Sequence, residues 1–189
     1  MAKRPTLEQL TERCVSLQTE AVSVRQDVYR SAPPKYANSN QLINGGGAKQ
    51  TGGRWNQKGV AALYCAFTPE AAMAETLAYA RYMGWPVRRG FPRVFVALRV
   101  KLSNVLDLTD GSIRRRLGVS AERMISTDWR KDLAKGRIPL THLIGRATFD
   151  AGFEGLLVAS VSGEDGPNIV IYPANLTITS TVKILDGSE

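Results

Sequence analysis

Strand candidates outnumber the helical connections in this sequence. Six stretches have the alternating or continuous apolar pattern of strands: residues 27–31, 60–67, 93–100, 155–160, 168–172 and 177–185. Helical patterns lie between some of them, at residues 69–82, 111–117, 127–135 and 139–151. There are too few connecting helices for a regular βαβ repeat. We therefore predict an α+β fold whose mostly antiparallel, curved sheet is flanked by helices.

An amphipathic helix is predicted ahead of this core, over residues 7–24. Apolar residues recur at steps of three and four, the helical spacing: Leu7, Leu10, Cys14, Leu17, Ala21 and Val24. Thr6 and Gln9 have the spacing of a capping box, which predicts the start of the helix. We expect a helical extension over residues 1–26 that packs on a main domain over residues 27–189.

Charge and composition narrow the class of protein. The 25 Lys and Arg residues exceed the 17 Asp and Glu residues and give a net charge of +8, which favours an anionic partner: a nucleic acid, an acidic protein or a phosphorylated small molecule. No stretch approaches the roughly 18 apolar residues of a membrane span, so no membrane association is expected. Cys14 and Cys65 lie in apolar segments and are predicted to be reduced and buried. We expect a cytoplasmic protein.

Two familiar functional motifs, a phosphate-binding loop and a histidine-dependent catalytic or metal site, do not match this sequence. Residues 32–53 are rich in glycine and proline and are predicted to form a long functional or disordered loop. The GGGAK sequence within it lacks the spacing of a phosphate-binding loop. His142 is the only histidine, so a metal site or a Ser-His-Asp triad would depend on it alone. We interpret His142 as structural and expect no metal.

Polar residues instead concentrate in four other segments. Tyr29 and Arg30 end the first strand candidate, with Tyr36 just beyond it. The sequence GGRWN occupies residues 52–56. Tyr64 lies in the next strand candidate, and Glu75 lies on the helix after it. The last segment is ASVSGEDGPNIVIY, residues 159–172.

This order of motifs resembles the RES domain, which is named after Arg, Glu and Ser. The resemblance covers about residues 28–172, and its most specific part is GGRWN with the downstream glutamate. It implies a fold related to ADP-ribosyltransferases and a toxin of a bacterial toxin–antitoxin pair that acts on NAD, either by degrading it or by transferring ADP-ribose to a protein. It also implies a cognate antitoxin, often of the Xre helix-turn-helix type, and DNA contact only through that antitoxin. A homodimer is left open.

The resemblance also implies the site residues. Glu75, Arg54 and Ser160 would be catalytic, although Ser162 competes with Ser160 for the serine role. Residues expected to bind NAD, which is a substrate here and not a cofactor, are Arg30, Tyr36, Gly53, Arg54 and Tyr64.

The chemistry of these residue types fits NAD cleavage. Nicotinamide leaves as a neutral group, so a single carboxylate that stabilises an oxocarbenium-like state is sufficient. Glu75 is the candidate. The guanidinium forks of Arg30 and Arg54 suit a pyrophosphate. Tyr36 or Tyr64 could stack on a flat ring.

Two other classes of protein are considered. The charge is compatible with a basic toxin that binds or cleaves RNA, but aromatic residues are only 7% and form no clustered stacking platform. A non-enzymatic regulator would use the helix over residues 7–24 for assembly. Neither explains GGRWN together with Glu75.

Overall fold

The computed structural model describes residues 4–160 and 166–185. Within those ranges the chain forms six strands: β1 (Val22–Ala32), β2 (Leu63–Ala66), β3 (Val94–Asp107), β4 (Gly155–Ala159), β5 (Pro167–Ile171) and β6 (Thr181–Ile184). The same ranges contain eight α-helices: α1 (Leu7–Ser16), α2 (Ser39–Ile43), α3 (Gly46–Thr51), α4 (Pro69–Tyr82), α5 (Gly111–Leu117), α6 (Ala121–Ser126), α7 (Trp129–Ala134) and α8 (Leu140–Asp150). None of these helices has the length and apolar character of a membrane span.

The sheet closes on itself as a five-stranded mixed barrel. The strand order is β1-β2-β5-β4-β3, and β1 also pairs with β3, which completes the ring. β3 and β4 are parallel, with Val105 opposite Gly155, and the other pairs are antiparallel. The α+β class is thus as predicted, whereas closure of the sheet was not foreseen and the relation to ADP-ribosyltransferases stays a prediction.

Closure depends on the length of β3. The sequence pattern predicted a strand over residues 93–100 only, but β3 continues to Asp107. One edge of β3 pairs with β1 over residues 94–105, while its other edge pairs first with β6 and then, from Val105 onward, with β4. A shorter strand would leave β4 without a parallel neighbour.

Alternation along the strands produces two hydrophobic cores. One is the barrel interior, because one cluster collects side chains from β1, β2, β3 and β5: Val24, Val28, Leu63, Cys65, Leu98, Val100, Leu102, Val105, Ile169 and Ile171. The other lies outside the barrel, where Leu156, Val158 and Val170 pack against α1, α5 and α8.

The N-terminal helix is shorter than predicted. Thr6 and Gln9 form the expected capping box, but α1 ends at Ser16 instead of Val24. A 3-10 turn follows over Gln18–Glu20, and β1 begins at Val22, before the boundary expected at residue 26. Valines at alternate positions favour an extended strand and override the helical spacing. The division into two domains itself stays a prediction.

Residues 32–53 form two short helices and not the expected long loop. The side chain of Asn38 accepts a hydrogen bond from the backbone N–H of Gln41 and caps α2. Gly45 then adopts a left-handed conformation, with φ of 68°, before α3. A Cβ at Gly45 would lie 2.6 Å from the backbone nitrogen of Ala62, so only glycine allows this close approach.

Helix α4 follows the sequence prediction at both ends. The Thr68 side chain accepts a hydrogen bond from the Ala71 backbone N–H, and Pro69 occupies the first turn. Ala71 and Ala72 pack against Ala66 of β2 and Tyr29 of β1. These small residues bring α4 close to the outer wall of the barrel, which positions the next residue on that helical face, Glu75.

Candidate active site

One wall of the site is the loop of residues 52–56, the GGRWN sequence. Asn56 is buried and acts as its anchor. Its Nδ2 donates to the backbone carbonyls of Ala48 (2.9 Å) and Val60 (2.9 Å). The Gly53 N–H also donates to the Asn56 carbonyl, at 3.0 Å. The conformation of this loop is therefore fixed by its own asparagine.

Tyr64 holds the same loop from β2. Its hydroxyl accepts from the Trp55 backbone N–H (2.8 Å) and donates to Asn56 Oδ1 (2.7 Å). Burial raises the pKa of the Tyr64 hydroxyl. A Cβ at Gly53 would lie 2.4 Å from that hydroxyl, so the glycine is required to admit it. Both residues thus shape the loop, while contact with NAD stays a prediction for each.

Two further hydrogen bonds hold the 52–56 loop, one from His142 of α8 and one from Tyr172, which follows β5. His142 Nε2 donates to the Gly53 carbonyl at 2.7 Å, and burial lowers the pKa of this imidazole. The Tyr172 hydroxyl donates to the Trp55 carbonyl at 3.1 Å. His142 is thus a structural residue, as its apolar sequence setting indicated.

Arg54 extends from this fixed loop. Its Nη1 donates to the Met124 carbonyl at the end of α6, at 2.9 Å. Burial lowers the pKa of the Arg54 guanidinium, and the nearby negative charge of Glu75 opposes that effect. The structure therefore places a half-buried guanidinium within electrostatic reach of the Glu75 carboxylate.

Glu75 is the centre of a polar cluster. Its Oε1 accepts hydrogen bonds from Ser160 Oγ (3.0 Å) and from Asn168 Nδ2 (2.7 Å). Ser160 follows β4, and Asn168 belongs to β5. Ser162, the competing serine, lies outside the described residues. Helix α4 and two neighbouring strands thus converge on one carboxylate.

Among the described residues, Arg30 and Tyr36 are not hydrogen-bonded to this cluster. Burial lowers the pKa of the Arg30 guanidinium, and the cross-strand partner of Arg30, Val96, packs with the interior core. Tyr36 ends a 3-10 turn, with Lys35 Nζ 4.8 Å from its ring centroid. Among residues 4–160 and 166–185, neither residue has a recorded hydrogen bond with Glu75 or Arg54. Tyr29, next to Arg30, faces α4 instead.

Two residues were not named as site residues from the sequence. Asn168 lies within the 159–172 segment, and its side chain donates to the Glu75 carboxylate. Its place opposite Ala66 in the β2–β5 pairing was not readable before the sheet order was known. Arg130 was not named either. Its guanidinium lies over the rings of Trp129, Tyr79 and Tyr82.

The arrangement has a definite chemical capacity. A carboxylate held by two neutral donors keeps its negative charge in a defined position, where it can stabilise a cationic transition state. The adjacent guanidinium suits a phosphate oxygen. A mixed barrel that carries such a carboxylate and guanidinium near the 52–56 loop is a candidate enzyme for an anionic substrate.

Comparison with known proteins gives the family. The model of the RES domain matches residues 27–185, and the chain belongs to the RES domain family. A Prs ADP-ribosylating toxin from Sphingobium sp. (strain YBL2) is 45% identical over 47 residues, 25% of this chain. That match spans only 29% of the length of this curated relative.

The fold has a solved counterpart. A chain in the crystal structure of the M. tuberculosis MbcT–MbcA toxin–antitoxin complex is similar with a TM-score of 0.73. The similarity covers 95% of this chain and 90% of that chain at 20% sequence identity. At this identity, the similarity establishes the fold alone.

Proposed function

We propose that this protein is a RES toxin that consumes NAD by breaking the bond between nicotinamide and ribose. The observation that carries the proposal is the Glu75 carboxylate, which is oriented by Ser160 and Asn168 and lies within electrostatic reach of Arg54. A relative that is named as an ADP-ribosylating toxin supports the use of NAD.

The reaction needs little beyond this cluster. When the C–N bond breaks, its electron pair leaves with nicotinamide, and positive charge develops on the ribose ring. Glu75 would stabilise this charge and orient the ribose hydroxyls. An acceptor oxygen from water or phosphate, or a nucleophilic side chain of a target protein, then bonds to the ribose carbon and releases a proton. The choice among hydrolysis, phosphorolysis and ADP-ribosylation of a protein depends on that acceptor.

The neighbouring residues would have distinct roles. Ser160 and Asn168 position the carboxylate because both donate to the same oxygen. Arg54, fixed by the 52–56 loop and by the Met124 carbonyl, would bind a phosphate oxygen of NAD. Arg30 is opposite Val96, which packs with the interior core, so contact between Arg30 and NAD would be made from the barrel interior.

An antitoxin is the proposed partner. The structural counterpart belongs to a toxin–antitoxin complex, and the net charge of +8 favours an acidic binding surface on the partner. A partner of the Xre helix-turn-helix type would also provide the only contact of the complex with DNA.

The experiment is to incubate purified protein with NAD and to measure nicotinamide release, with and without phosphate. We expect release by the parent and loss of at least about a hundredfold in Glu75→Gln, the scale of losing one electrostatic stabiliser of the transition state. Release only with phosphate would identify a phosphorylase. If the parent and Glu75→Gln release nicotinamide equally, or if neither does while the parent degrades RNA, the proposal is wrong.

A further inference from the structure

Arg130 is held by aromatic faces near the proposed active site. Its guanidinium carbon lies 4.1 Å from the ring centroid of Trp129, 4.8 Å from that of Tyr82 and 5.0 Å from that of Tyr79. We call these three rings the aromatic cradle. Two of them belong to α4, the helix that carries Glu75.

The N–H donors of Arg130 have no protein acceptor among the described residues. Its contacts with the cradle are cation–π contacts, which leave the five N–H groups able to donate hydrogen bonds. The neighbouring carboxylate, Asp128, is engaged elsewhere: it accepts from the Tyr82 hydroxyl (3.0 Å) and forms an ion pair with Lys131 (3.4 Å). In the part of the chain that the structure describes, Arg130 has no recorded hydrogen bond or ion pair.

One ring of the aromatic cradle lies on the same face of α4 as Glu75. Tyr79 comes four residues after Glu75 on α4, so the two lie on the same side of the helix and about 6 Å apart along its axis. The pKa of the Arg54 guanidinium depends on both Glu75 and Arg130. Burial lowers this pKa, the negative charge of Glu75 opposes the effect, and the positive charge of Arg130 adds to it. Arg54 therefore lies within electrostatic range of Glu75, Asp128 and Arg130.

We propose that Arg130, stacked in the aromatic cradle, binds the diphosphate of the dinucleotide together with Arg54. This inference rests on the proposed function, and it assigns to Arg130 the phosphate contact that the sequence had assigned to Arg30. The three ring contacts hold the guanidinium in place, and its N–H donors would pair with phosphate oxygens. The ribose next to the diphosphate then lies at Glu75.

The test is titration of ADP-ribose into the parent chain, Arg130→Ala, Arg130→Lys and Arg146→Ala. Arg146 is the matched control: its guanidinium also stacks on a ring, that of Phe149 at 5.9 Å, but its charge is paired with Asp150 at 2.7 Å. We expect Arg130→Ala to weaken ADP-ribose binding about tenfold or more, the scale of a charge-assisted hydrogen bond. Arg130→Lys should weaken it less, and Arg146→Ala should leave it unchanged.

Two further readouts separate ligand binding from a structural role. Inorganic pyrophosphate should displace ADP-ribose from the parent, and the inhibition of turnover by free nicotinamide should be the same in Arg130→Lys and the parent.

Thermal melting identifies a variant that has lost its fold, in which case Arg130→Lys carries the test. ADP-ribose binding by a folded Arg130 variant as tight as that of Arg146→Ala would overturn this inference alone. Absence of ADP-ribose binding by the parent would overturn the proposed function as well.

Discussion

At the scale of single residues, the shape of the candidate site depends on side chains whose hydrogen bonds hold the 52–56 loop. Asn56 and Tyr64 fix the 52–56 loop from inside, and His142 fixes it from α8. The sequence showed that this loop is unusual, because the residues of GGRWN are typical neither of a hydrophobic core nor of an ordinary surface loop. It did not show that Tyr64 places its hydroxyl inside the loop, since that contact joins segments whose packing depends on the whole sheet.

His142 predicts a pH dependence of stability. Burial lowers the pKa of its imidazole below the ordinary value of 6.5. As the pH falls through about 6.5, His142 becomes protonated in the unfolded chain while it stays neutral in the folded chain. Protonation therefore favours the unfolded state, and the folded state loses stability. We expect the Tm of the parent to fall between pH 7.5 and pH 5.

A matched variant tests the cause. His142→Gln keeps a side-chain donor for the Gly53 carbonyl but cannot titrate in this range, so its Tm should change less between the same two pH values. Equal slopes in the parent and in His142→Gln would show that another group is responsible.

At the scale of elements, the close packing of α8 on the 52–56 loop sets the position of Arg54. A Cβ at Gly145 would lie 1.9 Å from the Trp55 carbonyl oxygen, which is backbone and cannot move independently. Gly145→Ala must therefore separate the helix from the loop. We expect a loss of about 1–3 kcal/mol in the free energy of unfolding and a higher KM for NAD, as measured by denaturant titration and initial rates.

The control for this prediction is Gly47→Ala on α3. A Cβ at Gly47 meets no atom within 4 Å, and the residue is helical. This substitution should stabilise the protein slightly, by up to about 1 kcal/mol, because alanine favours the helix. If Gly145→Ala behaves like Gly47→Ala, α8 does not position the loop.

The elements also show how far the sequence could predict the fold. The capping signals of α1 and α4 were correct because each depends on side chains a few residues apart. The ends of α1 and of β3 were wrong, since the pairing of β1 with β3 decides both. Arg30 could not be placed relative to Glu75 from the sequence, because alternation along β1 fixes which face it takes only after closure of the barrel. Tyr36 lies beyond β1, in a 3-10 turn to which strand alternation does not apply.

At the scale of the whole molecule, the buried Glu154 provides a contrast to the half-buried Glu75. Glu154 is fully buried, and its carboxylate accepts from the backbone N–H groups of Ser103 (2.7 Å), Asn104 (3.0 Å) and Thr177 (3.0 Å). It therefore joins β3, β4 and the segment before β6. Its role is to hold these parts of the fold together, away from Glu75.

Glu154→Gln should cost about 2–4 kcal/mol in the free energy of unfolding. The amide removes the charge that these N–H groups stabilise and turns one oxygen acceptor into a donor. Turnover of NAD by the folded fraction should remain that of the parent. A large loss of turnover in folded Glu154→Gln would contradict this division between the two glutamates.

The central claim is that Glu75 acts in the chemistry and not in binding or folding. It is tested most directly by measuring NAD affinity and nicotinamide release together in the parent, Glu75→Gln and Glu154→Gln. The amide oxygen of Glu75→Gln can still accept from Ser160 and Asn168, so we predict an intact fold, NAD affinity within a few-fold of the parent, and almost no nicotinamide release. Nicotinamide release by Glu75→Gln at the rate of the parent would contradict the account.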